Sequence, residues 1–361
     1  MSKPLCIDLF SGGGGMSIGF KQAGYEVIGY EYKKDIVENA RNNALDTRYA
    51  NIFDDNFVDN LPSNIYIIVG GPPCQPFSQG NKGGLGENDT RNGIDTFLNI
   101  VKEKQPKYFL MEEAPTLTWK KHTSYFQIVL QKIHDIGYSY SYTVCDMSYF
   151  QVPQKRKRTI IIGSREFAPI PKTLLVNETQ EVMKICDVLT RKEIESVKIL
   201  PEGKIENSNF NNSSNNEDNV ISRYPQCVVK RIYDRYEHRC DMKYPMKLSR
   251  VLNINKPSLT LSIMSLKCST IAAMPNNGAR FAFRMQGERY VLLDKLNNTE
   301  KESFQDNVVQ RTLTIHEMRR IQTFPDTYHF TNRKMAEIII GNSVPPMFAY
   351  ILAKRILRLS S

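Results

Sequence analysis

The stretch that most constrains the chain is Ile65-Tyr66-Ile67-Ile68-Val69-Gly70-Gly71-Pro72-Pro73-Cys74-Gln75-Pro76-Phe77-Ser78. A β-branched apolar run stopped by two glycines and two prolines reads as a buried strand emptying into a loop. Proline gives no ladder donor, and glycine takes backbone conformations other residues avoid. Cys74 therefore falls on a stiff loop past a strand's carboxyl end, which in an open parallel sheet is the edge where ligands bind. A second reading treats Cys74 as a core thiol and the prolines as loop punctuation. The flanking sequence has to decide between them.

Those flanks alternate strand and helix. Pro4 to Phe10 is a short apolar strand running into Ser11-Gly12-Gly13-Gly14-Gly15 and a helix-like stretch through Ala23. Such a turn lets backbone approach a ligand, with helix amides facing its anionic part, although an ordinary turn has the same composition. Tyr25 to Tyr30 reads as a second strand closed by Glu31, well placed to accept hydrogen bonds from two ribose hydroxyls; the alternative is an acid opening the next helix. Further elements are expected at 33–44 (helix), 49–53 (strand), 65–69 (strand), 93–104 (helix), 108–111 (strand, ending in Glu112-Glu113-Ala114-Pro115), 122–136 (helix), 138–146 and 159–163 (strands), with a last helix over 346–359. The alternation specifies an α/β fold with a doubly wound, mostly parallel sheet. Residues 79–92 are rich in Gly, Asn and Gln and read as a mobile lid or an insertion.

Lysine and arginine outnumber acids by 48 to 38, giving a net charge of +10, which suits a polyanionic partner or serves solubility. Seven cysteines with no Cys-x-x-Cys pair argue against a disulfide framework and a zinc module; Cys227, His238 and Cys240 lack a fourth ligand, so no metal is expected. No signal peptide or membrane span is read, and the expected compartment is the cytoplasm. The alternation breaks near Arg165. Beyond it lie a polar tract at 207–219, read as a disordered loop, and a basic, aromatic stretch from Arg223 to Arg250. There Lys230, Arg231 and Arg235 alternate with Tyr233 and Tyr236, which suits phosphate contact and base stacking or a half-buried strand surface.

Taken together these residues resemble the DNA (cytosine-5) methyltransferases of the bacterial single-chain, restriction-modification type. Asp8-Leu9-Phe10-Ser11-Gly12-Gly13-Gly14 is similar to the family's S-adenosylmethionine loop, Glu31 to its ribose acid, and Pro72-Pro73-Cys74-Gln75 to its nucleophile motif. Asp89-Thr90-Arg91-Asn92 resembles the far end of its catalytic loop and Gln154-x-Arg156-x-Arg158 its basic motif. Arg311-x-Leu313-Thr314-x-x-Glu317-x-x-Arg320-x-Gln322-x-Phe324-Pro325 resembles its late motif, and Gly341-Asn342-Ser343-Val344 the segment completing the cofactor site. The resemblance runs the length of the chain, in family order. It implies a class I methyltransferase fold with a catalytic and cofactor-binding domain over 1–165, a smaller mixed target recognition domain over 166–325 (variable core about 220–310), and a segment over 326–361 that returns to the first. Lys256-Pro257-Ser258-x-Thr260-Leu261 resembles the start of the recognition core.

Carried over by position, the expected catalytic residues are Cys74, Glu112, Arg156 and Arg158. Those for S-adenosylmethionine are Phe10, Ser11, Gly12, Gly14, Glu31, Asn51, Ile52, Pro72, Asn342 and Ser343. Those for double-stranded DNA are Ser78, Gln79, Lys82, Arg91, Lys230, Arg231 and Arg235. A monomer is expected, with a restriction endonuclease as functional partner and activity at the nucleoid. Two departures stand out: Glu113-Ala114 replaces the usual Asn-Val, and Asn51 stands where an Asp often receives the adenine amino group. The rival readings are a transfer-RNA methyltransferase built on the same catalytic half, a catalytically silent DNA-binding homologue, and a nicotinamide dehydrogenase, for which the spaced glycine fingerprint is missing.

These residue types suit the implied chemistry. Carbon 5 of cytosine is a poor nucleophile until a thiolate adds at carbon 6 and turns the ring into an enamine. Thiolate is both a strong nucleophile and a good leaving group. An acid at ring nitrogen 3, Glu112, stabilises the adduct; Arg158 can hold the exocyclic oxygen, with Arg156 as a nearby positive field. Both arginines have a plainer reading as phosphate contacts or surface ion pairs. A base stacked in a duplex is out of reach, so the target must be flipped out.

Overall fold

A computed structural model describes residues 2–73, 93–166, 168–196, 252, 254–261, 280–286, 289–292 and 308–359. Its centre is a seven-stranded sheet. Strands β1 (Leu5–Leu9), β2 (Glu26–Glu31), β3 (Thr47–Tyr49), β4 (Ile67–Gly70), β5 (Tyr108–Glu113), β6 (Ser139–Asp146) and β8 (Lys157–Ser164) lie in the order β3-β2-β1-β4-β5-β8-β6. The two-residue β7 (Gln154–Lys155) pairs outside it with β9 (Ser258–Leu259). All neighbours in the main sheet are parallel except β8, which is antiparallel to both β5 and β6.

Strand alternation builds the two cores. Ile67, Val69, Tyr108, Leu110, Ile160 and Ile162 face one side, where α1 (Gly15–Ala23) and the last helix, α8 (Pro346–Leu357), cover them. Ile68, Phe109, Met111 and Ile161 face the other, under α3 (Gly93–Lys104) and α4 (Thr123–Asp135). A strand buried on both faces has no polar alternation to show, which is why these strands read as continuous apolar runs. Fully burying each large side chain contributes about 1.5–3 kcal/mol, so the sheet is the stable frame on which the loops depend.

Strand order reverses between β1 and β4. The crevice at such a switch point, outside the carboxyl ends, is where α/β sheets bind ligands. Leu9 lies opposite Gly70, so the glycine turn after β1 and the Gly-Pro-Pro loop after β4 leave the sheet side by side. A third core joins Ile18, Ile36 and Leu45 to Leu252, Leu261, Leu313, Met318 and Ile339. It ties α1 and α2 (Lys34–Asn42) to the segment before β9, to α6 (Ile315–Ile321) and to α7 (Arg333–Asn342). A three-stranded antiparallel sheet of β10 (Arg280–Gln286), β11 (Arg289–Leu292) and β12 (Val308–Thr312) belongs to the middle region, together with the short α5 (Arg191–Ser196).

One expectation needs correcting. The third strand is Thr47–Tyr49 rather than 49–53, because Asn51 takes the Phe53 amide on its Oδ1 (3.3 Å) and bonds Asp54 (2.6 Å), turning the chain instead of extending it. The span Arg333–Leu357 is long and apolar enough to pass as a membrane crossing, where none was read. It is two helices broken at Ser343–Pro345, with 72% of its most apolar window buried inside the protein.

Candidate active site

Three chain segments converge at the carboxyl edge of β4 and β5. Gly71 follows β4 so closely beneath Glu112 that an added Cβ would lie 3.0 Å from Glu112 Oε2. Pro72 and Pro73 then pack against Gly93, the first residue of α3, where a Cβ would fall 2.4 Å from Pro73 Cδ. The chain thus enters Cys74 from beside the Glu112 carboxylate. Cys74 itself, with Ser78, Gln79, Lys82 and Arg91, lies outside the described residues.

Glu112 is the fifth residue of β5, and β8 runs beside it with Glu112 opposite Ile160. Arg158 projects from the start of β8 and sets its Nε 2.8 Å from Glu112 Oε1. The pair is close but the N–H does not point squarely at the oxygen, so Glu112 Oε1 lacks an aligned hydrogen bond. Its side chain is 12% exposed and that of Arg158 21%, a pair half out of water at the mouth of a crevice. Arg158 Nη1 is anchored on the Lys157 carbonyl at 2.7 Å. Next to Glu112, Glu113 is buried, with Oε2 accepting the Ala114 amide at 3.3 Å.

Arg156, the single residue linking β7 to β8, turns into the interior at 1% exposure. Its guanidinium donates to the carbonyls of Leu261 (3.4 Å) and Gly341 (3.5 Å). Burial, and then Arg158, pull its pKa down to about 9. The expectation of a catalytic Arg156 is revised accordingly: it holds two backbones together and cannot reach a phosphate. Beside it runs a buried amide relay. Leu261 N donates to Gln154 Oε1 (3.1 Å), Gln154 Nε2 to Gln322 Oε1 (2.5 Å), and Gln322 Nε2 to the Ser343 carbonyl (2.8 Å).

The second half of the site surrounds the turn after β1. Gly14, at φ 82, closes that turn, and a Cβ on Gly15 would collide with the Val344 carbonyl at 2.2 Å, so the 341–344 segment lies directly on the start of α1. Glu31 ends β2 almost buried. Its Oε2 accepts the Gly12 amide (3.1 Å) and its Oε1 the amides of Tyr32 (3.0 Å) and Lys33 (2.9 Å). Tyr328 Oη donates to the Gly13 carbonyl (2.7 Å) and accepts from Asn39 Nδ2 (3.1 Å), bracing the turn from outside. Asp8, fully buried under the turn, accepts from Ser17 Oγ at 2.6 Å, while burial, outweighing that bond, pushes its pKa up to about 7.

A family model described as C-5 cytosine-specific DNA methylase matches residues 5–358. The chain belongs to that family. Curated relatives include the Type II methyltransferases M.FnuDI of Fusobacterium nucleatum (28% identical, covering 97% of this chain and 93% of the relative) and M.NgoPII of Neisseria gonorrhoeae (28%, covering 97% and 94%). Among solved structures, a DNA modification methyltransferase encoded within an E. coli prophage covers 99% of both chains at 19% identity with a TM-score of 0.61. The Dnmt2 methyltransferase of S. pombe gives 0.65 at 14% identity, over 99% of this chain and 100% of that one. At those identities the structural likeness bears on the fold alone.

Membership in the methylase family implies methyl transfer from S-adenosylmethionine, and the residues present fit that molecule. Glu31 is pinned with lone pairs left on Oε2; Ile52 is buried, and the Phe53 ring lies 6.0 Å from that of Phe10. Asp8 Oδ1 and Ser11 Oγ are buried with no hydrogen-bond partner in the structure, as expected of groups awaiting a polar ligand. Asn51, expected at the adenine, spends its amide on Asp54 and receives Phe53 N, leaving only one lone pair of its oxygen. Asn342 is exposed, and Ser343 turns its hydroxyl onto the Ile339 carbonyl of its own helix (2.6 Å), so this segment meets the site mainly through backbone. Lys230, Arg231 and Arg235 lie outside the described residues, as do Cys227, His238 and Cys240.

Sequence reading passed over Tyr32, Tyr328 and Trp119, and gave Phe53 and Gln322 no individual role. The signal for Tyr32 was there: an aromatic directly after the ribose acid, 57% exposed at a ligand edge. Of the cysteines described, Cys6 and Cys145 are buried, with thiols that burial pushes up, to about 12 for Cys145. Cys186 is exposed but its thiol is raised too, by desolvation and then Asp187. Arg355 near Cys145 and Lys184 near Cys186 pull the other way, but desolvation outweighs them, so neither thiol is poised as a thiolate.

Proposed function

We propose that the protein is a sequence-specific DNA cytosine-5 methyltransferase working through Cys74, Glu112 and Arg158 on a cytosine rotated out of its duplex. The observation that carries this reading is the Glu112–Arg158 pair at 2.8 Å, standing over Gly71 where the chain turns into Pro72-Pro73-Cys74. A carboxyl group that can hold a proton and a guanidinium that can grip a carbonyl oxygen are what a cytosine ring presents a use for at nitrogen 3 and at its exocyclic oxygen.

In the reaction the Cys74 thiolate bonds to carbon 6, and the ring's double-bond electrons move toward carbon 5 as Glu112 delivers its proton to nitrogen 3. S-adenosylmethionine supplies an electrophilic methyl group on a sulfonium, which carbon 5 takes up. Loss of the carbon 5 proton to a base then pushes the electrons back, the Cys74 sulfur leaves, and Glu112 recovers its proton from nitrogen 3. Arg158 neutralises charge on the ring during addition and holds it square to the thiolate. With the cofactor bound, Glu31 would accept from the ribose hydroxyls, Phe10, Ile52 and Tyr32 would flank the adenine, and Asp8 and Ser11 would answer its polar end.

Target choice belongs to the region between β8 and α6, and the relatives named Type II methyltransferases favour the modification arm of a restriction system, with an endonuclease as functional partner. That fit favours DNA over transfer RNA. The decisive experiment replaces Cys74 with Ala and presents wild type with duplex carrying 5-fluorocytosine at the target. Transfer should vanish in the variant, and the wild type should be trapped covalently because fluorine cannot leave as the proton does. Methylation persisting in Cys74→Ala would remove the nucleophile assignment.

A further inference from the structure

Beyond the pocket for the extruded base, we propose that Trp119, Lys120 and Lys121 form a separate contact with the DNA backbone beside it. The proposal rests on the methyltransferase reading for its ligand and on the rim itself for its geometry. Residues 114–122 leave β5 at the carboxyl edge that carries Glu112 and the Gly71–Pro73 loop, and return through α4, so any duplex delivering a base to Glu112 crosses them. The segment is fixed rather than loose. Leu117 is fully buried in the core under α4, Thr116 is 4% exposed, and successive tight turns bond Leu117 N to Ala114 O (3.1 Å), Trp119 N to Thr116 O (3.0 Å) and His122 N to Trp119 O (2.8 Å).

On that platform Trp119 is 43% exposed, and Lys121 Nζ sits 5.9 Å from its ring centroid. Lys120 and Lys121 are exposed as well, and from Ala114 to Ser124 there is no carboxylate to neutralise them. Thirteen-residue α4 begins right after, at Thr123, and its dipole adds positive potential at the same rim. A large aromatic in water here stands next to two cations that have no ion pair among the described residues. It suits a sugar–phosphate strand, whose anions take the lysines and whose sugar or base face takes the indole.

Trp119 is the only tryptophan in the chain, so fluorescence excited at the red edge, where the 18 tyrosines absorb little, reports on this site. The probe is sheared, unmethylated genomic duplex, titrated with S-adenosylhomocysteine present. DNA should quench the Trp119 emission and shield it from acrylamide. Replacing Lys120 and Lys121 together with Ala should flatten the plot of log affinity against log salt by about 1.8, since each phosphate contact contributes about 0.9. The Lys→Arg pair should restore the slope, and Trp119→Ala should weaken binding roughly tenfold, the size of one lost stacking contact. S-adenosylhomocysteine affinity, unchanged across the set, reports that the fold is intact. A double variant with the wild-type salt slope overturns the proposal whatever the indole does. Wild type that fails to bind duplex at all would instead overturn the methyltransferase reading.

Discussion

Two parts of the molecule carry equally strict residue patterns for opposite reasons. At the sheet edge, Glu112 and Arg158 stand 12% and 21% exposed, paired loosely with each other and open to a ligand. In the return segment, taken here from Thr314 to the last helix, Thr314 and Glu317 form a reciprocal cap (3.1 and 2.8 Å), Gln322 spans Gln154 and Ser343, and Phe324 meets Tyr328 edge-on with centroids 4.8 Å apart. Almost every polar atom there is spent on the protein itself. A motif in the sequence therefore says only that substitution is expensive. Burial and the identity of the partner say whether the expense falls on chemistry or on architecture.

The edge should fail in rate without failing in stability. Glu112→Gln keeps the shape but cannot deliver the proton, and the expected loss in kcat is about 10²- to 10⁴-fold, with thermal stability near wild type. Glu113→Gln, buried in the same strand but facing away from Arg158, should slow turnover far less. Single-turnover assays on both variants decide the matter, and the reverse order would mean that Glu113 is the acid.

The return segment should show the opposite signature. Gln322→Leu strands Gln154 Nε2 and the Ser343 carbonyl in a fully buried position, at about 1–3 kcal/mol for each group left unpaired. Combining it with Gln154→Leu removes both members of the pair, so the double variant should lose less than the sum of the singles in denaturant titrations. Strict additivity would show that the relay is not one unit.

How far the sequence could be read follows the same division. α3 stops at Lys104, just short of Pro106, and among the described residues its span is the expected Gly93–Lys104. Glu31 and the glycine turn were legible because only one helix and one strand, 19 residues from Gly12 to Glu31, lie between them. The run from Gln154 to Arg158 looked like a basic surface, yet period-two alternation exposes Lys155 and Lys157 and buries Gln154 and Arg156. Its partners, Gln322 and the Gly341 carbonyl, stand 168 and 185 residues away, and no local pattern announces a pairing at that distance.

Asp8 lies between the two regions, and its effect is read as a slope. Its pKa of about 7 stands above the ordinary carboxyl value, so the folded protein keeps a proton that the unfolded chain has released. Stability from this group is complete below about pH 4, the unfolded value, and is lost as pH rises through the folded value near 7. Asp8→Asn abolishes that titration. Its stability relative to wild type should climb across the window by up to about 1.4 kcal/mol per pH unit and level off above it. A difference independent of pH would mean that Asp8 is charged when folded, with its free oxygen satisfied.

The smallest effect tests whether architecture reaches chemistry at all. Tyr328 touches no reacting atom, but its hydroxyl bonds the Gly13 carbonyl on one side and Asn39 on the other, 2.7 and 3.1 Å away. Asn39 in turn receives the amide and hydroxyl of Thr331, both at 3.0 Å, so the turn is tied to the return segment through one tyrosine. Tyr328→Phe deletes the bond and keeps the ring against Phe324 and Phe330. The expected loss is about 1 kcal/mol, felt as roughly fivefold weaker S-adenosylmethionine binding with kcat at saturation unchanged. Tyr328→Ala should add a fall in melting temperature, because it also removes the aromatic packing. A Phe variant with normal cofactor affinity and reduced kcat would place Tyr328 in the transition state's surroundings and erase the distinction between the two regions.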